Sequence, residues 1–467
     1  MNFSMIRYIL GCVLKIEAAF MLIPCLTALI YREKDGFIYL AVAIGSAFIG
    51  QIMSLRKPKH NVFYLKEGCV ATSLSWLIMS LFGSLPFIFT GAIPSFTDAM
   101  FETVSGFTTT GASILPEVES LSHCNMMWRS FTHWIGGMGV LVFLLAIIPM
   151  SGGSHINLMR AESPGPSVGK LVPKIKHTAR ILYLIYLGLT ILQAILLIVG
   201  KMPIFDAINT AVATAGTGGF GIKNDSFASF SPYLQWVTTI FMILFGINFN
   251  LYHLLLLGKI KDVLRSEELR AYLGIITVAT LLIAVNIYSQ VLAVGKSIRD
   301  AFFQVASIIT TTGFATADFN LWPEFSRHVL LLLMVVGACA GSTGGGMKVS
   351  RVIIMIKSLV VEVKQMISPK SVVVVRLEEK PVNKQVLNST RIYVAAYMFL
   401  ICVFTLILSL DGLDFESNFT AVLSCFNNIG PGLGAVGPMS NFSVYSDWAK
   451  VLLAVVMLPG RLEIFTM

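Results

Sequence analysis

Four short segments rich in Thr, Gly and Asn carry the groups of this chain that are best suited to binding an ion. They end the stretches DAMFETVSGFTTTG, DAINTAVATAGTGG, DAFFQVASIITTTG and SNFTAVLSCFNNIG, and each stretch closes on Gly at its fourteenth position. Gly adopts backbone torsions that other residues avoid, so such a segment can turn successive carbonyl oxygens toward one axis. Rings of carbonyl oxygens can replace the hydration shell of a monovalent cation. We call the segments tip segments 1 to 4, and their candidate ion ligands are Thr108, Thr109, Thr110 and Gly111; Gly216, Thr217, Gly218 and Gly219; Thr310, Thr311, Thr312 and Gly313; and Asn427, Asn428, Ile429 and Gly430.

The tip segments contain no acidic side chain. A ring of carboxylates for a divalent cation is therefore not expected, and the composition favours selection of a dehydrated, K⁺-like ion. A single copy would also be compatible with a short extracellular linker that carries an interfacial helix. Four copies in the same register favour a ring of re-entrant loops instead.

The residues before each tip segment predict a short pore helix. Asp98, Asp206 and Asp300 begin three of the stretches and are good helix N-caps, so we expect them to have a structural role. About eight helix-compatible residues follow each cap. A helix in this position directs the negative end of its dipole toward a cation at the tip.

Long apolar helices must position these segments. The chain is 55% hydrophobic and 13% charged, with a mean hydropathy of +0.78, which excludes a soluble globular protein. A helix needs about 20 apolar residues to cross the hydrocarbon core. Ten stretches approach this length: Ile9–Ile30, Phe37–Leu55, Gly68–Ile88, Phe131–Met150, Ile181–Gly200, Leu234–Leu257, Leu269–Val291, His328–Ile356, Ile392–Leu410 and Trp448–Met467.

The distribution of Lys and Arg predicts the orientation. Most basic residues lie in the segments Arg56–Lys66, Arg160–Arg180, Lys259–Arg270 and Lys348–Arg391, whereas the residues after the tip segments are nearly free of them. By the positive-inside rule both termini are cytoplasmic, and the tip segments enter the membrane from outside. The net charge of +9 mostly reflects this bias, and the charges are too dispersed for a nucleic-acid surface.

The expected fold is an all-α polytopic membrane protein with four parallel M1–pore helix–M2 repeats around a pseudo-fourfold central pore, plus two extra N-terminal transmembrane helices. Irregular backbone at membrane depth is tolerated only beside protein or a water-filled cavity, so four re-entrant segments imply a central pore. The expected divisions are an N-terminal helix pair (1–60), pore repeat 1 (61–155), pore repeat 2 (156–260), pore repeat 3 with an intramembrane glycine loop (261–365), and a cytoplasmic segment with pore repeat 4 (366–467).

A candidate gate lies in the second span of repeat 3. The run LLLMVVGACAGSTGGGMKVSR has five Gly between 337 and 346, which should break a helix since each Gly costs about 1 kcal/mol relative to Ala. Close helix packing at small residues is the alternative. Arg461 is a charge within the last apolar span, and such charges tend to face an aqueous cavity unless they extend to the interface. The candidate gate residues are Gly337, Gly341, Ser342, Thr343, Gly344, Gly345, Gly346 and Arg461.

The chain resembles the Trk/Ktr/HKT superfamily of potassium transporters, and within it the bacterial TrkH potassium uptake subunits. The matching motifs are WIGGMG (134–139), RAESPGP (160–166), two TTTG tips, GSTGGGMK (341–348), NNIGPGLG (427–434) and GRLE (460–463). The resemblance implies a K⁺ filter with Gly111, Gly219, Gly313 and Gly430 as its four glycines. It also implies a glycine loop below the filter that blocks or opens the pore, with Arg461 near it in the pore.

This resemblance implies potassium uptake across the bacterial plasma (inner) membrane through a gated, channel-like single-chain pore, with K⁺ as the permeant ion. It further implies a homodimer and a cytosolic, nucleotide-binding, TrkA-like regulatory subunit, for which the basic segments Arg160–Arg180 and Lys348–Arg391 are candidate docking surfaces. A K⁺ transporter coupled to H⁺ or Na⁺ is the alternative. No catalytic motif or nucleotide site is evident, so we expect neither an enzyme nor nucleotide binding within this chain.

Overall fold

The computed structural model describes residues 2–56, 65–137, 139, 175–369 and 373–462. Six helices in these ranges are long and apolar enough to cross a membrane, and a bent pair of helices makes a seventh if it is counted as one span. Apolar side chains on them face outward, as lipid-facing residues do: Leu29, Val285 and Leu406 are 73–77% exposed. The six helices are Phe3–Tyr31, Asp35–Ser54, Lys66–Phe89, Ala179–Val199, Glu267–Val291 and Lys384–Asp411.

The chain begins with a helical pair that lies outside the repeats. Helix α1 (Phe3–Phe20) continues after Met21 as α2 (Leu22–Tyr31), and α3 (Asp35–Ser54) packs along α1. The backbones of α1 and α3 meet at two glycines. A Cβ on Gly11 would lie 2.7 Å from the carbonyl oxygen of Gly50, and a Cβ on Gly50 would lie 2.8 Å from that of Gly11. Small residues thus permit close helix contact, as in many membrane proteins.

Four units of span, pore helix and span follow. The first has α4 (Leu65–Phe89), α5 (Phe96–Phe107) and α6 (His123–Gly137). The second has α7 (Ile175–Val199), α8 (Ile204–Ala215), α9 (Pro232–Phe245) and α10 (Phe249–Leu256), followed by α11 (Ile260–Arg265). The third has α12 (Glu267–Val291), α13 (Val294–Ile309), α14 (Glu324–Val335) and α15 (Val349–Ile367). The fourth has α16 (Lys384–Leu408), α17 (Phe415–Asn427) and α18 (Asp447–Leu462).

Shorter elements connect these helices. Between α15 and α16, strands β1 (Arg376–Leu377) and β2 (Lys380–Pro381) form an antiparallel hairpin in which Leu377 pairs with Lys380. The 3₁₀ turns are Phe319–Leu321, Ser409–Asp411, Gly434–Val436 and Phe442–Val444.

The second span of unit 2 is bent. The sequence predicts one span over Leu234–Leu257, and the structure has two helices there, α9 and α10, that meet at an angle of 90°. Helix α9 ends at Gly246, and the Asn248 side chain caps α10 by accepting a hydrogen bond from the amide of Asn250. The amide of Phe249 donates to the carbonyl of Gly341 at 3.0 Å, so the bend is fixed by a contact with unit 3.

The second span of unit 3 is broken, as its glycine run predicts. Helix α14 ends at Val335 and α15 begins at Val349. The intervening residues, Val336–Lys348, fold back on themselves, since the amide of Gly337 donates to the carbonyl of Met347 at 2.6 Å. We call this segment the glycine loop. Simple close packing of an unbroken helix does not occur here.

The N-terminal pair packs against unit 1 through buried aromatic residues. The hydroxyl of Tyr39 donates to the side-chain oxygen of Asn125 at 2.8 Å. The indole of Trp128 donates to the carbonyl of Gly83 at 2.9 Å and stacks edge-on against Phe107 at the end of the first pore helix. These contacts belong to the largest apolar core of the molecule, which connects the N-terminal pair to the pore helices.

Candidate functional site

The four tip segments have the same backbone conformation despite their different sequences. The second residue of each segment has positive φ: Thr109 (57°), Thr217 (54°), Thr311 (58°) and Asn428 (55°). The fourth residue does too: Gly111 (76°), Gly219 (77°), Gly313 (86°) and Gly430 (100°). A β-branched residue rarely adopts positive φ, at a cost of order 1–3 kcal/mol. Three Thr residues held in this conformation indicate a geometry that the surrounding structure imposes.

A common hydrogen bond shapes each tip. The amide of the third residue donates to the carbonyl five residues earlier, at the eighth position of each stretch: Thr110 to Ser105 (2.9 Å), Gly218 to Ala213 (3.0 Å), Thr312 to Ser307 (2.8 Å) and Ile429 to Ser424 (3.0 Å). The acceptor is a backbone atom, which explains why Ala213 serves as well as Ser. Two of the serine hydroxyls hold the end of the tip or the residue after it, since Ser424 donates to the carbonyl of Gly430 and Ser307 to that of Phe314.

The four tips meet in a closed cycle. A Cβ added to Gly111 would overlap the carbonyl oxygen of Gly218, one on Gly219 that of Thr312, and one on Gly313 that of Ile429. The cycle closes from segment 4 back to segment 1, where a Cβ on Gly430 would lie 2.9 Å from the carbonyl oxygen of Thr110. Each terminal glycine therefore lies against the third carbonyl of the next segment, and a side chain at any of the four positions would push the ring apart.

Side chains also join the last segment to the first. Asn428 donates from its side-chain nitrogen to the hydroxyl of Thr110 at 2.9 Å and to the carbonyl of Met457 at 2.9 Å. Higher up, Lys450 and Asp98 form an ion pair at 2.6 Å between α18 and the first pore helix. Units 1 and 4 are distant in sequence, so these contacts close the ring of units.

The predicted capping role of the three aspartates is wrong. The first pore helix is capped by Ser95, whose hydroxyl accepts from the amide of Asp98, so Asp98 lies inside the helix. Asp206 is likewise in the first turn of α8, after Pro203. Asp300 lies well within α13, because that helix begins at Val294, two turns before the stretch used for alignment. A true Asp cap is found in unit 4, where Asp414 accepts from Ser417.

A buried ion pair braces the chain just beyond tip segments 1 and 2. Arg129 and Glu102 are 2.6 Å apart and almost fully buried. Glu102 also accepts from the Ser113 hydroxyl at 3.0 Å and the Ile114 amide at 3.0 Å. Arg129 donates to the carbonyl of Gly221 at 2.9 Å. The sequence analysis missed this pair, although opposite charges inside two neighbouring helices, in a chain with few charges, are a signal that could have identified it.

The glycine loop lies directly below tip segments 3 and 4. The amide of Gly345 donates to the Thr311 hydroxyl at 2.7 Å. A Cβ on Gly344 would lie 3.0 Å from the carbonyl oxygen of Thr310, and one on Gly345 would lie 2.6 Å from that of Asn427. The loop can approach the tips this closely only because these positions lack side chains.

Arg461 connects the glycine loop to unit 1. Its guanidinium donates to the carbonyl of Thr343 in the loop at 2.6 Å, and to the carbonyls of Gly136 and Gly137 at 2.5 and 2.6 Å. The side chain is therefore held by backbone oxygens at the end of α6. Of the gate candidates, Gly341 accepts from the amide of Phe249 in α10, and the hydroxyl of Thr343 donates to the carbonyl of Phe245 in α9. Gly337 and Ser342 bond within the loop, and Gly344 to Gly346 lie against tip segments 3 and 4.

Two further charged residues anchor the loop, and the sequence analysis missed both. Lys348 is buried and donates to the carbonyls of Gly344 and Gly345 within the loop. Glu268, near the start of α12, accepts from the amide of Ala340 at 2.8 Å and that of Ser350 at 3.1 Å. Glu268 therefore ties the first half of the loop to the start of α15. In the sequence it lies among four basic and two other acidic residues between positions 259 and 270, so no local pattern sets it apart.

Several sequence features fall outside the described residues. They are the RAESPGP motif at 160–166, Met138 of the WIGGMG motif, Glu463 of the GRLE motif, and most of the basic segment Arg160–Arg180.

Comparison with known proteins gives a consistent result. The TrkH family, described as cation transport protein, matches residues 37–467. The chain is 37% identical to the Trk system potassium uptake protein TrkH of Escherichia coli K12, over 100% of this chain and 98% of that protein. It is 33% identical to the Trk system potassium uptake protein TrkG of the same organism, over 100% of this chain and 97% of that protein.

A solved structure has the same fold over its full length. The crystal structure of the potassium transporter TrkH from Vibrio parahaemolyticus superposes with a TM-score of 0.90 at 33% identity, covering 100% of this chain and 98% of the other. The overall fold is thus that of a known transporter, and this chain belongs to the TrkH family of cation transport proteins.

Proposed function

We propose that this protein takes up potassium ions across the bacterial plasma membrane through a gated, channel-like pore whose selectivity filter is built from backbone carbonyls of the four tip segments. The observation that carries the proposal is the closed cycle in which each terminal glycine abuts the third carbonyl of the next segment. Four carbonyl-bearing tips around one axis suit an alkali ion without its water. The relatives named as potassium uptake proteins support K⁺ as the ion.

The glycine loop is the proposed gate. It lies against tip segments 3 and 4, Arg461 ties it to α18 and Glu268 ties it to α12, while Lys348 bonds to carbonyls within the loop. Release of the loop would open a path below the tips. Opening requires that the hydrogen bonds from Arg461 and to Glu268 that hold the loop backbone break together.

We place both termini, the β1–β2 hairpin and the segments around it in the cytoplasm. A nucleotide-binding regulatory subunit would dock on this side, and we propose that two copies of this chain assemble. The names of the relatives, which call them parts of a Trk system, support a partner subunit. The hairpin is connected to the gate region: the amide of Glu378 donates to Glu267 at 3.2 Å, next to the loop anchor Glu268. The division into an N-terminal pair and four pore repeats, at residues 60, 155, 260 and 365, belongs to the same proposal.

One observation favours the second candidate, a transporter that couples K⁺ to H⁺. Glu17 of α1 is 1% exposed, and neither of its carboxyl oxygens has a hydrogen-bond partner among the described residues. A Cβ on Gly83 of α4 would lie 3.1 Å from its Oε1 atom. An isolated carboxylate is costly in such a place, so Glu17 would hold a proton. It lies outside the four repeats, however, and not between the tips and the gate.

Ion flux into liposomes that contain the purified chain alone distinguishes the candidates. With K⁺ on both sides, the proposed pore gives a current that reverses at the K⁺ equilibrium potential whatever the pH gradient. Proton coupling shifts the reversal potential when a pH gradient is imposed, and Glu17→Gln abolishes the shift. Equal fluxes of K⁺ and Na⁺ would refute the proposed filter.

A further inference from the structure

Tip segment 2 lacks two side chains that segments 1 and 3 possess. In segments 1 and 3 the first and third residues are Thr, and their hydroxyls hydrogen-bond to each other at 2.8 Å (Thr108 and Thr110) and 2.7 Å (Thr310 and Thr312). In segment 2 the same positions are Gly216 and Gly218. Its backbone nevertheless has the torsions of the other segments. Another part of the protein must therefore fill the space that the two threonine side chains occupy in segments 1 and 3.

The imidazole of His133, on α6 of unit 1, fills that space. A Cβ on Gly218 would overlap three ring atoms of His133, namely Cγ, Cδ2 and Nδ1. Gly216 is covered by the backbone of the same residue, since a Cβ there would lie 2.1 Å from the carbonyl oxygen of His133. Neither glycine has positive φ, so the backbone torsions would accept any residue. At position 218 it is the imidazole that excludes a side chain.

Two hydrogen bonds determine the protonation of the ring. The Nδ1 atom of His133 is 2.7 Å from the carbonyl oxygen of Gly106, and a carbonyl only accepts, so Nδ1 carries the proton. The Nε2 atom is 3.2 Å from the amide nitrogen of Phe220, which only donates, so Nε2 is bare. The ring is fully buried, and it must be the neutral Nδ1–H tautomer for both bonds to form.

These bonds connect two different units. Gly106 lies in the first pore helix, just before tip segment 1, and Phe220 directly follows Gly219 of tip segment 2. The Phe220 ring is also held between two side chains of α6. Its centroid is 4.1 Å from that of the His133 ring, and the guanidinium of Arg129 lies 3.7 Å above it. The position of Gly219 therefore depends on a face of unit 1.

We propose that His133 is a positioning residue for ion selection: its imidazole takes the place of the threonine side chain that tip segment 2 lacks at position 218, and it fixes the exit of that segment to the first pore helix. This inference rests on the proposed carbonyl filter. It also explains why segment 2 reads Gly-Thr-Gly-Gly where segments 1 and 3 read Thr-Thr-Thr-Gly.

A pair of near-isosteric variants separates the two bonds of the ring. The side-chain oxygen of Gln can occupy the place of Nε2, so His133→Gln keeps an acceptor for the Phe220 amide, whereas Asn reaches only the place of Nδ1. We expect His133→Gln to keep the K⁺/Na⁺ permeability ratio within about twofold of the parent. His133→Asn leaves the Phe220 amide unpaired and should lower the ratio about fivefold, the worth of one net hydrogen bond. Ratios are measured from reversal potentials in liposomes with K⁺ on one side and Na⁺ on the other.

Second-site rescue tests the steric part. Gly218→Thr should collapse the ratio or the flux because its side chain meets the imidazole, and the double variant Gly218→Thr with His133→Ala should recover at least half of the lost discrimination. A double variant no better than Gly218→Thr, or equal ratios for the Gln and Asn variants, would overturn the proposal. Solid-state ¹⁵N spectra, compared with and without His133, should show one protonated and one bare ring nitrogen, and two protonated nitrogens would contradict the tautomer.

Two controls separate this inference from the proposed function. His328→Gln removes an exposed histidine far from the tips and should leave the ratio unchanged. Gly111→Ser alters the ring of tips directly. If Gly111→Ser lowers the ratio and the His133 variants do not, the role of His133 is refuted and the filter stands. If Gly111→Ser is also without effect, the filter itself is refuted. If Gly218→Thr or its double variant with His133→Ala does not yield monodisperse protein, the test rests on His133→Gln and His133→Asn, which keep the volume of the ring most closely.

Discussion

Removal of Arg461 should release the glycine loop and raise K⁺ flux. Its guanidinium bridges Thr343 of the loop to Gly136 and Gly137 of α6. The bond to Thr343 must break for the loop to move away from unit 1. A hydrogen bond to a charged group contributes about 1.5–3 kcal/mol, and each 1.4 kcal/mol is a factor of ten. The open fraction of Arg461→Gln should therefore rise by about 10- to 150-fold, within the limit set by the other anchors of the loop.

The assay is uptake of radioactive Rb⁺ or K⁺ into liposomes, followed by single-channel recording to separate open probability from conductance. Arg461→Lys is the matched variant, since it keeps the charge but cannot donate to three carbonyls in one plane. Flux that rises in both variants indicates that the bridging bonds limit permeation. Flux that rises only in Arg461→Gln indicates that the positive charge is the barrier.

The K⁺/Na⁺ ratio should not change in either variant, because the three bonds go to the glycine loop and α6 and not to the tip segments. Wild-type flux in Arg461→Gln would refute the assignment of this residue to the gate. A changed ratio with unchanged flux would also contradict it, since it would place Arg461 in the filter.

Four other substitutions have outcomes that follow from the structure. Gly111→Ser should lower K⁺ preference over Na⁺ because a Cβ there overlaps the neighbouring carbonyl and the φ of 76° is unfavourable for Ser, as reversal potentials would show. Glu102→Gln leaves Arg129 buried without its charge partner and should destabilise the protein by about 3–5 kcal/mol in thermal unfolding. Glu268→Gln should raise basal flux about fivefold, because it replaces a charge-assisted bond to the loop by a neutral one. Asp414→Ala should lower the free energy of unfolding by about 1 kcal/mol at pH 7, because it removes a helix cap. Hydrogen bonds from Ser417 lower the pKa of Asp414, so the carboxylate stabilises the fold at neutral pH. The difference from wild type should vanish as the pH falls through that lowered pKa.

The sequence predicted the architecture well wherever the residues that determine a feature lie close together in the chain. The apolar spans, the four tips and the break at the glycine run are each specified by residues close together in the chain. The helix starts were predicted less well. Asp98 and Asp300 are strong capping types, but the choice of cap depends on where the preceding span releases the chain, and Ser95 and Ala293 hold those positions.

Residues that act on segments far away in the chain could not be derived from the sequence. Glu268 anchors a loop 72 residues further along the chain, and His133 fills a gap 85 residues away at Gly218. Glu268 has no motif around it, and His133 lies directly before the WIGGMG motif without belonging to it. The absence of Thr at Gly216 and Gly218 was visible as a departure from the repeat, but only the packing of α6 against the second tip explains it.

The four quadrants of the ring are non-identical and lie on one polypeptide. In an assembly of four identical chains, a substitution at the axis appears four times, and its effect on the free energy of ion binding is added four times. Here each quadrant carries its own amino acid and its own support, such as an imidazole in one place and paired hydroxyls in another. A single substitution therefore changes one of the four sides of the ion path, so that evolution can adjust permeation one tip segment at a time.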